Sequence, residues 1–291
     1  MIAQIPARAT SLTHPVAEYT CGWTLQSRGT PGSIGLQTLN VAKTYTQNFR
    51  VSNSMVFALL HGSATSVFAF VVICLVLLAS LLLAAWMTTT PRTRAARATG
   101  LLAGGLAFYG LTIAGIVLSG IFEKAFVPFG PLFLVVTIAA AVSIGFSRLG
   151  IRIAAGIPLP WLVGFQSFRL PLEVVLHDWY RSGTIPESMT WTGSNWDIVS
   201  GAVALAFFPF VSRWRALAWI ANVVGIVLLV NVVRVAILSS PVPFGWDVEP
   251  KLELIAYLPY AFIVPICVGG AALGHVLLTR RLLAFRVGVE R

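Results

Sequence analysis

Arg169, Glu173, His177 and Arg181 stand four residues apart in the run RLPLEVVLHDWYR. On a helix that spacing places them in one stripe. Two readings follow. The stripe is a ladder of ion pairs on a helix lying along a membrane surface, or Glu173 and His177 face a groove and serve as general acid and base, or as a binding pair. Further on, TGSNWDIVSG sets Asn195 and Asp197 just ahead of an apolar run. Either side chain can cap the helix that begins there, and Asp197 also suits the positive end of a helix dipole. The functional alternative is a carboxylate open at the mouth of a bundle. A third group, NVVRVAIL, carries Asn231 and Arg234 inside an apolar run. An ionisable residue there marks a functional site by default; otherwise Arg234 snorkels to the nearer end. At that end it approaches Asp197, Asp247 and Glu253, where a guanidinium forms a structural pair with a carboxylate or holds an anion. The catalytic candidates are thus Glu173, His177 and Asp197, and the binding candidates Arg169, Asn195, Asn231 and Arg234.

These groups sit in a polar island, residues 169–201, that holds four of the ten acids of the chain. Pro171 suits a first helical turn and Gly183 the position just past a helix end. An amphipathic helix is therefore expected near 170–182. It would lie along the membrane surface on Leu170, Leu172, Val174, Val175 and Leu176, with Trp179 and Tyr180 at headgroup level. The island interrupts a series of apolar runs. About 20 apolar residues cross the hydrocarbon core, and candidate spans begin at Val67, Gly100, Gly130, Ile151, Ile198, Ala216 and Leu254. The fourth, 151–168, is interrupted by Pro158 and Pro160. The expected fold is an all-α transmembrane bundle of about seven spans, or six if 151–168 is re-entrant.

Loop charges set the orientation. The loop PRTRAAR, with Arg92, Arg94 and Arg97, belongs on the cytoplasmic side. Seven spans then put Arg148, Arg152, Arg213, Arg215, Arg280, Arg281, Arg286 and Arg291 there too. The N-terminus falls outside, the C-terminus inside, and the segments 169–197 and 239–253 outside. His275, near the cytoplasmic end of the last span, reads as interfacial and far from the other polar groups. Gly100/Gly104 and Gly270/Gly274 permit close helix contact.

Composition agrees. Hydrophobic residues make up 57% of the chain and charged residues 10%, and the mean hydropathy is +0.85. A soluble domain carries roughly 25% charged residues. The net charge of +10 is spread between apolar runs and forms no basic face, which excludes nucleic acid as a partner. Residues 1–54 lack hydrophobic periodicity and read as a disordered polar tail, with the native start expected at Met55. The remainder, 55–291, reads as one transmembrane domain. The first residues are not a basic stretch followed by an apolar core, so no signal peptide is expected. Cys21, Cys74 and Cys267 form no CxxC and read as apolar fillers. A catalytic zinc takes three protein ligands. Glu173 and His177 would need Asp178 or Asp197, and neither HxxxH nor HExxH occurs, so no metal is expected. No Gly-rich phosphate loop or dinucleotide motif appears, so no cofactor is expected. Partners are the lipid bilayer and an envelope protein or lipid ligand.

The run RLPLEVVLHDWYRSGTIPESMTWTGSNWDIVSG resembles the signature of a family of uncharacterised bacterial multi-pass membrane proteins. The resemblance rests on Pro171 with Glu173, Leu176 with His177, Ile185 with Pro186, Met189 with Thr190, and Gly193, Asn195, Asp197 with Ile198. It covers roughly the C-terminal two thirds of the chain, implies a place in the bacterial inner membrane, and brings no activity. A weaker resemblance is to the exosortases, membrane transpeptidases with a Cys-Ser-Gly at the outer mouth of one span and Asn-x-x-Arg on the next. Here stand Val199-Ser200-Gly201 and Asn231-x-x-Arg234. Valine cannot attack a carbonyl, so the resemblance implies a frame that binds without the sorting reaction. A rhomboid-like serine would need a GxSG setting, which Ser200 lacks. The expected function is a membrane protein whose outer polar cap, with Glu173, His177, Asp197 and Arg234, binds a partner or envelope ligand. The alternatives are an enzyme at the outer interface and a small-solute carrier. A scarcity of charge at mid-membrane and the lack of an inverted repeat weigh against the carrier.

Overall fold

The computed structural model describes residues 62–289, with no strand among them. The tail at 1–54, the start at Met55, Cys21 and Arg291 lie outside those residues. Helix α1 (Ala64–Met87) is followed by α2 (Arg92–Leu118), α3 (Phe126–Phe146), α4 (Arg148–Gly156) and α5 (Leu159–Gly164). Then come α6 (Arg169–Arg181), α7 (Asp197–Phe207), α8 (Arg215–Ser239) and α9 (Gly269–Val289). Five stretches are long and apolar enough to cross a membrane: α1, α2, α3, α8 and Tyr260–Ala284. A sixth arises if α4 and the stretch Leu159–Arg181 count as one bent span. Their outer faces leave Phe68, Leu75, Phe108, Leu111 and Val230 exposed. Hydrocarbon tolerates such surface, and a helix satisfies its own backbone, which is the condition for crossing lipid. The chain is a multi-pass helical membrane protein.

Contacts at the helix ends fix their directions. The Ser63 hydroxyl accepts the Ser66 N–H at 3.1 Å to cap α1 and donates at 2.8 Å to Asp178 in the last turn of α6. At the other end of α1, a Cβ on Gly156 would lie 2.6 Å from Thr88. The stretch Leu159–Arg181 therefore runs antiparallel to α1 from one end of that helix to the other. α3 and α9 run parallel: Gly269 faces Ala141, and a Cβ on Gly145 would lie 2.6 Å from Val276. Arg280 donates to the Gly145 carbonyl at 3.2 Å and Arg281 to that of Ala155 at 2.6 Å. Phe208 closes on Gly164. The arginines of the α1–α2 turn, of α4, of the α7–α8 turn and of α9 thus share one end of the bundle, the Thr88 end. Ser63, Asp178 and the α8–α9 loop share the other, the Ser63 end.

Two expectations need correction. The stretch 151–168 is no straight crossing: the chain bends by 116° between Gly156 and Leu159. Pro158 lacks an N–H and forces Ile157 into extended backbone (φ −84°, ψ 132°). The helical stretch after the bend starts at Leu159, later than expected, and takes in the segment read as a surface helix. That helix forms at Arg169–Arg181, but the face that carries Arg169, Glu173 and Trp179 is turned inward, with Arg169 and Glu173 1% exposed and Trp179 fully enclosed, while Val174 stays exposed. Trp179 does not face outward from the bundle. It packs edge-on against Phe70 and Tyr260 and donates to Ser66. The C-terminus of α6 is as expected: Gly183 adopts φ 74°, and Gly183 and Thr184 donate to the carbonyls of Tyr180 and Trp179 at 2.9 and 2.8 Å, a Schellman closure.

Smaller features complete the frame. Cys74 and Cys267 lie within hydrogen-bonding reach in the core. Gly274 admits Gln166 and Phe165, whereas Gly100 and Gly104 touch nothing within the described residues. At the Ser63 end, burial first, then the neighbouring Glu123 and Glu249 carboxylates, holds the Glu253 carboxyl above the ordinary range.

Gly183→Ala forces a side chain into left-handed backbone and should lower unfolding stability by about 1 kcal/mol. Gly104→Ala, in an open helix interior, should raise it by up to ~1 kcal/mol; thermal unfolding in one detergent compares the two. Because the Glu253 carboxyl is raised in the folded chain, its protonation favours folding. Stability should be full below the ordinary carboxylate range and fall as pH rises through the raised value. Glu253→Gln should flatten that slope.

Candidate buried ion-pair site

The start of α6 puts Arg169 and Glu173 one turn apart on a face turned into the bundle. The chain from Ser182 to Trp196 then leaves α-helical form, apart from a single 3₁₀ turn at Glu187–Met189, and descends along α8. Ser188 bonds Ser239 at 2.7 Å, and about two turns deeper along α8 the Ser194 carbonyl accepts from Asn231 at 2.8 Å. α7 begins below that point with Asp197. The Arg169 guanidinium pairs with Asp197 through Nη1, donates from Nη1 to Ser200 Oγ at 3.0 Å, and reaches His275 Nε2 from Nη2 at 3.1 Å. All four residues are buried.

Donor and acceptor chemistry gives this chain of bonds one direction. A guanidinium only donates, so His275 Nε2 accepts and its Nδ1–H donates to Asn222 Oδ1 at 3.0 Å. Asn222 Nδ2 then donates to Thr279 Oγ1 at 2.7 Å, and the Thr279 hydroxyl to the His275 carbonyl at 2.8 Å. On the other side, Asn195 donates to Glu173 Oε1 at 2.8 Å and to the Met189 carbonyl at 3.0 Å, while its Oδ1 accepts the Asp197 N–H at 3.2 Å. Two groups remain without a partner: Glu173 Oε2 and Arg169 Nε.

Arg169 lies near the middle of a stretch whose ends meet the two ends of α1, so the cluster lies at mid-depth. Charges there are costly and persist only when paired. One guanidinium faces two carboxylates, and Asp197 holds it. An open cleft leads from the cluster toward the Ser63 end. Its cavity volume is about 100 Å³. Its walls are apolar, including Pro131 and Leu134 of α3, Leu172 and Leu176 of α6, and Val233 and Ile237 of α8. Arg169, Glu173, Asn195 and Asp197 line its inner part.

Of the residues singled out from sequence, Arg169, Glu173, Asn195 and Asp197 converge. Glu173 and His177 do not: His177 stacks on Trp191, with ring centroids 4.4 Å apart, so the two form neither an acid–base pair nor a ligand pair. Arg234 does not meet Asp197, Asp247 or Glu253. It is exposed, donates to Asn231 Oδ1 at 2.9 Å and lies over Trp246, because Asp197 is already taken and Asp247 faces Lys251. Asn231 ties down the descending loop. The placing of His275 far from the polar groups is overturned, since α9 carries it against Arg169. Asn222, Thr279 and Gln166, which donates to the Ala271 carbonyl at 3.3 Å, escaped sequence reading. Asn222 is a lone polar residue in an apolar run, and that was the available signal; Gln166 stands beside Ser167 and Thr279 beside Arg280 and Arg281, so neither stands out. Val199 faces outward and Ser200 inward.

Removing one partner of the ion pair, as in Asp197→Asn or Arg169→Met, should lower stability by about 3–5 kcal/mol. The joint replacement Arg169→Met with Asp197→Leu should recover most of that loss. Chemical unfolding in mixed micelles measures both; equal damage from the single and joint changes would mean the pair is not the keystone.

No curated protein and no solved structure matches the chain. Residues 127–283 match the family described as "Domain of unknown function (DUF8737)". The match runs from α3 into α9 and contains every residue of the buried cluster. It spans more than half of the 291 residues, and the chain belongs to that family.

Proposed function

We propose that this protein binds an amphipathic molecule inside the membrane, with its polar head at the Arg169–Asp197–Glu173–Asn195 cluster and its apolar part along the cleft. The observation that carries this reading is the pair of unpartnered buried atoms, Glu173 Oε2 and Arg169 Nε, on residues lining an apolar cleft. Ligand sites have this form: mostly apolar walls and a few convergent polar groups. The binding cap expected at the outer rim thus moves inward, to mid-depth. Catalysis is the weaker reading. Ser200 Oγ and His275 Nε2 are both engaged by Arg169, so they do not stand as nucleophile and base.

The same reading includes a topology. The stretch Leu159–Arg181 crosses alone, and the descending loop with α7 makes another crossing, which gives seven. The arginine-rich Thr88 end faces the cytoplasm by the charge rule, so the cleft opens toward the outer face of a bacterial inner membrane. A second reading, a carrier, is favoured by one feature: a span broken at mid-depth, with a half-helix starting at the ion pair.

The test is native mass spectrometry from lipid nanodiscs. The wild-type chain should retain an amphiphile, and Val233→Trp, which fills the cleft, should fold with unchanged melting and lose it. A ligand-free wild type, or retention by Val233→Trp, overturns the proposal. Movement of that amphiphile across sealed liposomes would select the carrier.

A further inference from the structure

We infer that Arg234, flanked by Asn231 and Trp246, holds the phosphate of a membrane phospholipid on the outward side of α8, apart from the cleft. Val223, Val227 and Val230 are exposed and recur at three- and four-residue spacing, so they form one stripe. Arg234 continues that stripe and is itself exposed. Val233, Ala236 and Ile237 line the cleft instead. α8 is long and apolar enough to cross a membrane, and its exposed apolar stripe is the one that acyl chains meet. Arg234 stands five residues short of the α8 end at Ser239, about 7.5 Å along the axis. Two neutral groups hold its guanidinium at that level. Nη2 donates to Asn231 Oδ1 at 2.9 Å, and Cζ lies 5.8 Å from the Trp246 ring centroid. Both anchors are fixed in turn, Asn231 by the Ser194 carbonyl and Trp246 by its N–H on the Leu238 carbonyl.

Among the described residues no carboxylate pairs with Arg234, and Asp247 faces Lys251. Arg169 is given Asp197; Arg234 is given neutral partners alone. A charge close to hydrocarbon is costly unless it is paired. A guanidinium carries five N–H donors in a planar fork. One is spent on Asn231, which leaves an edge for two oxygens of a single anion. The phosphodiester of a phospholipid offers two such oxygens, needs no donor in return, and stands at the membrane boundary where α8 ends. Its acyl chains then lie along Val230, Val227 and Val223. Trp246 and the exposed Phe244 sit at the same end of α8, as aromatic side chains do at headgroup level. A soluble phosphate fits the fork and has no use for the stripe. A diacylglycerol fits the stripe and leaves the guanidinium unpaired.

The experiment uses the full-length chain in maltoside micelles, whose detergent has no phosphate, with phosphatidylglycerol carrying a diazirine in its head group as probe. After illumination, adducts are mapped by peptide mass. Those between Asn231 and Trp246 are counted relative to those at the arginine-rich Thr88 end, which serves as internal standard. Unlabelled phosphatidylglycerol should displace the probe from that segment at a concentration about tenfold or more below that needed by diacylglycerol or by glycerol phosphate, the ratio expected for one lost hydrogen bond to a charged group. Arg234→Gln keeps a donor for Asn231, removes the charge, and should cut the adduct ratio about tenfold. If that variant fails to fold, the competition on the native chain decides alone. An unchanged ratio in Arg234→Gln overturns the inference. So does equal displacement by diacylglycerol or by glycerol phosphate, and so do adducts confined to α3 and α6 around the cleft. In each of these cases the amphiphile reading stands, because its site is separate.

Discussion

The contact on which the rest depends is the ion pair between Arg169 and Asp197, buried at mid-depth. Neither partner tolerates that position alone, because an unpaired charge there costs several kcal/mol. The pair joins the start of α6 to the start of α7. With Ser200 and His275 on the same guanidinium, it ties α6, α7 and α9 together at one level. The lower half of the bundle is sewn by the onward bonds to Asn222 and Thr279, and the upper half is left to apolar contact around the cleft.

The pair also sets the course of the chain between its partners. A continuous helix from α6 would carry the following residues out of the Ser63 end. Asp197 must return to the depth of Arg169, so the segment after Gly183 turns back and descends beside α8. The Schellman closure at Gly183 supplies the turn. Ser188 on Ser239 and Asn231 on Ser194 hold the descent. The short length of α7 follows, since it begins halfway down.

Much of this was legible in the residues. Hydropathy marked the long helices, and the four-residue spacing placed Arg169 and Glu173 on one face. Gly183 marked the end of α6. What spacing does not carry is which way a mixed face turns. A stripe of Arg, Glu, His and Arg looks like a surface ladder, and its inward turn depends on partners that lie 28 and 106 residues away. Pro158 was legible as a break, but a break inside a crossing and a corner ahead of one look alike in one dimension. His275 and Asn222 were each a lone polar residue in an oily run; their pairing appears only when α8 and α9 lie side by side.

The descending loop links stability to use. Backbone out of helical form at membrane depth is tolerated only where protein encloses it or where it borders a cavity. Here Thr190, Asn195 and Asn231 meet part of its hydrogen-bonding demand from within. The outward consequence is that the loop holds α8 away from α6 above the ion pair, where a continuous helix would fill the gap. The space so kept open is the cleft. The bend that brings Asp197 to Arg169 therefore also creates the cavity beside them, and it leaves one carboxylate oxygen and one guanidinium nitrogen unmatched at its floor.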